Sequence, residues 1–115
     1  MDYSGKVWLN GTDLSTNASA DKTIIAAQGV GKTFRVMSGV VSVTVAAVGG
    51  GGLVALENGV DGKVIWQANA DASGVYQIDF RPVGYPLTEN TLLNLTVNGA
   101  ATTQASARAT IVAIL

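Results

Sequence analysis

The sequence predicts an all-β protein: an antiparallel β-sandwich, wound as a jelly roll of about eight strands. Three observations point there. Residues 32–48 (KTFRVMSGVVSVTVAAV) alternate apolar and polar side chains with a period of two, and most of the apolar ones are β-branched. That spacing buries one face of a strand, whereas a helix needs apolar residues at three- and four-residue steps. Turn-forming dipeptides recur at short intervals: Asn10-Gly11, Gln28-Gly29, Asn58-Gly59, Asp61-Gly62 and Asn98-Gly99. No stretch of useful length carries a helical period, and many short strands divided by turns lead to a sandwich or barrel.

In the central run, Phe34 and Val36 share one face. After a break at Ser38-Gly39, Val41, Val43 and Val45 share the other phase. Gly39 is the expected bulge or bend. Four glycines at 49–52 read as a loop. Strands at 53–57 and 63–68 follow, joined by a reversal at 58–62, so that three strands are expected to form an antiparallel meander.

Upstream, residues 6–9 predict a short strand ended by Asn10-Gly11, and residues 13–16 a polar edge strand. Residues 22–27 (KTIIAA) predict a firmer strand. Residues 1–20 are thus expected as an N-terminal arm with a short edge strand, and 21–115 as the jelly-roll body.

Downstream, a turn at 69–74 precedes a strand at 75–80 that buries Tyr76, Ile78 and Phe80. Pro82 and Pro86 mark a long connection, because proline donates no hydrogen bond to a sheet. Strands are expected at 91–97 and 104–115. The last alternates alanines and Ile111 with Ser106, Arg108, Thr110 and Val112, and turns apolar on both faces near its end. No internal repeat of fixed period is present, which argues against a propeller or β-helix.

Composition narrows the function. Only 13% of the 115 residues are charged, against about 25% in an average soluble domain, and the mean hydropathy is +0.34. Part of the exterior is therefore expected to be covered by other chains. The seven basic residues are scattered and the net charge is −1, which predicts no nucleic-acid binding. With no cysteine and no histidine, the commonest nucleophilic, general-base and metal-binding groups are missing. No apolar run is long enough for a membrane-spanning helix, and no secretion signal is expected at the N-terminus. No enzyme, cofactor or metal is predicted.

Several motifs invite a sharper reading. Residues 29–33 (GVGKT) resemble the end of a phosphate-binding loop. However, Ala26 stands where the pattern needs glycine, and a strand follows where it needs a helix, so a turn is expected. Residues 69–74 resemble the start of a calcium loop, but Phe80 stands where the closing acid belongs, and a hairpin turn is the better reading. Asn10, Asn17 and Asn94 fit the glycosylation pattern and read as turn and strand residues. Asp79, Arg81 and Glu89 form no placed catalytic set. Trp66 and Tyr76 read as core aromatics. Tyr3 and Trp8, in the arm, are the candidates for anchoring to a partner.

Residues 24–27 (IIAA), 29–41 (GVGKTFRVMSGVV), 74–80 (GVYQIDF), 84–87 (GYPL) and 90–97 (NTLLNLTV), with the glycine-rich hairpin and the β-branched end, form a pattern. It resembles the small jelly-roll structural proteins of tailed bacteriophages, including head-decoration or cement proteins, which are similar in outline to tumour-necrosis-factor-like trimers. The likeness covers about residues 23–115 and transfers no catalytic residue. It implies a homotrimer on the outer capsid surface of the virion, made in the host cytoplasm, with the major capsid protein as partner and neither nucleic acid nor membrane. The alternative, from another class, is a fibre or spike domain that binds a host-surface glycan through exposed aromatics beside Asp and Asn.

Overall fold

The computed structural model describes residues 8–16, 20–45, 52–69, 73–99 and 105–115. The described residues form nine strands: β1 (Trp8–Thr16), β2 (Ala20–Ile25), β3 (Arg35–Val45), β4 (Gly52–Asn58), β5 (Lys63–Asn69), β6 (Gly74–Asp79), β7 (Tyr85–Pro86), β8 (Leu93–Gly99) and β9 (Ala105–Ile114). Every pairing is antiparallel, and the pairings nest. β1 pairs with β9, β2 with β8, β3 with β6 and β4 with β5. The chain is therefore one long hairpin whose tip is the reversal between β4 and β5.

That hairpin is wound on itself, so β9 also pairs with β3 and β8 also pairs with β4. The result is a five-stranded sheet, in the order β1-β9-β3-β6 with β7 beside the start of β3, facing a four-stranded sheet in the order β2-β8-β4-β5. This is the jelly-roll winding. β7 extends the edge begun by β6, which is where a strand containing Pro86 is tolerated.

The core follows from size matching. β8 turns Leu93, Leu95 and Val97 inward, and β9 turns Ala107, Ala109, Ile111 and Ala113 inward; all are fully buried in one cluster. Alanines on one sheet make room for leucines from the other, which fills the gap without strain. The two long sides of the sandwich close differently. On one side Trp66 of β5 meets Tyr76 of β6, with ring centroids 5.6 Å apart and planes tilted by 59°. Both rings are half-buried against the core, where the sequence predicts buried core aromatics. On the other side β1 runs against β2 so closely that a Cβ on Gly11 would strike the Ile24 carbonyl and lie 2.8 Å from Cγ1 of Ile25.

Three expectations are corrected. The stretch from β3 to β5 is not a meander. β3 lies in one sheet while β4 and β5 lie in the other, so β3 and β4 are not hydrogen-bonded neighbours. Asn10-Gly11 is not a turn: β1 runs straight through it, because Gly11 is the residue that lets β2 approach. The phase change in β3 comes from a register shift between Val36 and Ser38, placing the extra residue at Met37 and not at Gly39. Gly39 instead lies against the β9 backbone at Thr110 and Ile111.

Gly11→Ala is expected to cost about 1–3 kcal/mol, the range for forcing atoms into a filled site. Leu95→Ala is expected to cost about 2–5 kcal/mol. Both are read as lower urea midpoints at constant slope. An unchanged midpoint for Gly11→Ala would show that β1 and β2 are not in close contact in solution.

Candidate assembly surfaces

The winding gathers one set of connections at one end of the sandwich: 26–34, 59–62 and 80–92. They are tied to one another by hydrogen bonds. The Gly29 N–H donates to Oδ1 of Asn90 (3.0 Å), and the Asn90 N–H donates to the Lys32 carbonyl (2.8 Å). The Gly59 N–H donates to the Leu92 carbonyl (2.9 Å). The Asn58 amide exchanges bonds with Thr88, giving Nδ2 to Oγ1 (2.9 Å) and accepting the Thr88 N–H at Oδ1 (3.1 Å). Arg35 Nη1 reaches the Val83 carbonyl at 3.3 Å.

This laced end displays apolar tips. Val30 is 87% exposed, Val60 51% and Val83 56%. The residues resembling a phosphate loop belong here as a turn, closed by the Lys32 N–H on the Gly29 carbonyl (3.1 Å) and followed by a strand. No helix N-terminus is offered to a phosphate.

The outer face of the five-stranded sheet continues from this end. In register across it, Trp8 stands beside Ile114, then Arg35, then Pro86. Trp8 is 46% exposed, while Ile114 between Trp8 and Arg35 is buried. Further along the same face come Val112, Val40 and Val75, separated by Ser38, Ser42 and Thr110. The charges described on this face are Arg35, Arg108 and Asp79, the last of these closed on Arg81. Of the two predicted anchors, Trp8 therefore sits on an open sheet face at the laced end; Tyr3 lies outside the described residues.

The Asp79 carboxylate is closed on Arg81. Arg81 holds the Asp79 carboxylate at both oxygens, Nε to Oδ1 at 2.9 Å and Nη2 to Oδ2 at 3.1 Å, and its backbone N–H adds a third bond at 3.0 Å. These bonds lower the Asp79 pKa from 3.8 to about 2, because they favour the charged form. A shallow cleft of about 240 Å³ beside this pair is lined by Ser38, Val40, Gln77, Asp79 and neighbouring residues, with no aromatic ring among them. It lacks the stacking surface that a glycan site needs.

The carboxylates that do converge went unnoticed in the sequence. On the outer face of the four-stranded sheet, Nδ2 of Asn94 donates to Oδ1 of Asp21 and to Oε1 of Glu57, both at 2.9 Å. Asn94 is fully buried and Glu57 is 9% exposed. Among the described residues no cationic side chain pairs with either acid, and Oδ1 of Asn94 has no hydrogen-bond partner. An unmet buried acceptor costs about 1–3 kcal/mol. Burial also removes Asn94 as a glycosylation acceptor. The one clue in the sequence was a polar Asn inside an apolar run.

The sequence matches no protein-family model and no curated protein. Among solved structures the fold is similar to that of a chain from the Bacillus endospore appendages, a novel family of disulfide-linked pili. The TM-score is 0.53 and the identity 14%, over 99% of this chain and 93% of that one. At that identity the likeness concerns the fold alone, a two-sheet β-sandwich.

In an NMR titration of the side-chain carboxyls, Asp79 is expected to titrate at about 2 and, in Arg81→Ala, to return toward 3.8. Since the folded value is the lower one, the associated stability is present above 3.8 and is lost as the pH falls from there through about 2. An Asp79 midpoint unchanged by Arg81→Ala would remove Arg81 as the cause.

Proposed function

We propose that this protein is a structural subunit that acts by associating with copies of itself, not by catalysis. The observation that carries this is the laced, valine-tipped end continuing into the Trp8 face. Rigid, hydrogen-bonded loops hold Val30, Val60 and Val83 out into solvent in a chain with only 13% charged residues. Apolar groups displayed on a rigid frame lose little entropy when a neighbour covers them. Trp8, flat and half-exposed at the sheet edge, has the character of an interface anchor.

The shared fold with a subunit of disulfide-linked pili supports a polymer-forming role. This chain has no cysteine, so copies of it would associate without the disulfide links of those pili. The resemblance to phage head-decoration proteins supports a more specific form of the proposal. In that form, a homotrimer binds the major capsid protein on the outer surface of a virion, and several weak contacts per trimer add up to firm attachment.

Sedimentation velocity on the purified protein tests the reading. A concentration-dependent oligomer or polymer is expected in the micromolar range. Trp8→Ala is expected to weaken association about 30-fold, the effect of losing an anchor of about 2 kcal/mol. Val30→Asp combined with Val83→Asp is expected to yield monomers with an unchanged β-sheet circular-dichroism spectrum. A wild-type monomer at about a hundred times that concentration would sink self-association. Binding of the labelled oligomer to undecorated phage capsids would favour the capsid form, and open-ended polymers that leave such capsids bare would count against it.

A further inference from the structure

We propose that the outer face of the five-stranded sheet is a two-fold contact between copies of this chain, in which Trp8 of each copy enters the cleft beside Arg81 of the other. This rests on the self-association proposed above and names its surface and symmetry. Knob and hollow lie on one face. Trp8 is 46% exposed on β1. The cleft of about 240 Å³ lies between β3 and β6, where Ser38, Val40, Gln77 and Arg81 line it. β9 and β3 stand between β1 and β6. Three strand spacings of about 4.8 Å therefore hold Trp8 out of its own chain's cleft.

The cleft is chemically matched to an indole ring. The Arg81 guanidinium is held at both oxygens of Asp79, at 2.9 and 3.1 Å, yet the side chain stays 60% exposed. A planar cation stacks on an aromatic face. Because the carboxylate already fixes this one, little side-chain freedom is lost when a ring covers it. Val40 is 39% exposed and supplies an apolar wall. Gln77 and Asp79 carry oxygen acceptors for an indole N–H.

The shared face dictates the symmetry. Two copies of that face, opposed about a two-fold axis, satisfy both knobs and both hollows at once. The axis that does this runs along the strands between β9 and β3, over Thr110, Val112, Ser38 and Val40, none of them charged. It exchanges β1 with the β6–β7 edge, so Trp8 of one copy comes over the corner where β6 ends and β7 begins in the other. It also exchanges register partners of β3 and β9. Arg35 then lies over Ile114 of the other copy, and Arg108 over Ser42, so neither cation meets its like. Val83, whose carbonyl accepts from Arg35, borders the same corner. The molecule extends 46 by 25 Å in its two longer dimensions, room for the about 800 Å² per partner of a standard interface.

Thiol cross-linking tests the arrangement cleanly, because the chain has no cysteine of its own. Asn10 of β1 and Gln77 of β6 are both exposed on this face. An equimolar mixture of Asn10→Cys and Gln77→Cys, treated with a short bismaleimide, is expected to give a covalent dimer, and either variant alone none. A chain carrying both cysteines is expected to stop at the dimer; a ladder of larger products would mean head-to-tail contacts and overturn the two-fold. Sedimentation velocity tests the stacking. Arg81→Ala is expected to weaken association about tenfold, and to have no further effect in Trp8→Ala. Association without the mixed cross-link, or association indifferent to Arg81→Ala, would overturn this interface and leave self-association standing. A chain that stays monomeric at every concentration would remove both.

Discussion

β9 lies between β1 and β3, hydrogen-bonded to both along nearly its whole length, while its alanines and Ile111 face the leucines of β8 across the core. This insertion sets the geometry of everything else. It joins the last strand of the chain to the first and third, and so converts a long hairpin into a closed two-layer body. It requires small side chains on the inner face of β9, since β8 already fills the space with Leu93 and Leu95. It requires the β3 register to shift at Met37, so that the apolar face of β3 stays inward on both sides of the shift. It also brings the β3 backbone close to Thr110, where Gly39 alone fits.

The same closure determines what the exterior offers. Each sheet has one outward face. On the five-stranded sheet that face is mostly Ser, Thr and Val with few charges, bordered by Trp8. The connections at the near end are hydrogen-bonded to each other across large sequence separations. They present a fixed shape, not a mobile fringe. A surface that is rigid, apolar in spots and poor in charge is suited to neighbours of matching shape, and poorly suited to a solute that must enter and leave.

Much of the fold was legible in the sequence because strands carry their signal locally. Period-two alternation at 32–48 and 75–80, and the turn dipeptides at 58–62, depend only on adjacent residues, and they located β3, β6 and the β4–β5 reversal. The failures share one cause. Asn10-Gly11 has a turn composition, yet Gly11 is there for a neighbouring strand distant from it along the chain. The bulge fell at Met37 because register depends on β9, not on which residue is glycine. The supposed meander failed because a hairpin and a crossover between sheets can both begin with a glycine-rich loop.

The sequence by itself determined the class of structure, the absence of cysteine and histidine chemistry, and the sparse charge that turns attention to association. Those properties are additive along the chain and need no partner residue. Only the tertiary structure decided which sheet each strand joins, that Trp8 lies on an open face, and that Asp21, Glu57 and Asn94 meet. Such meetings are fixed by strand order and register, which arise when apolar faces on distant segments bury one another. No local pattern encodes a distance between residues 21, 57 and 94.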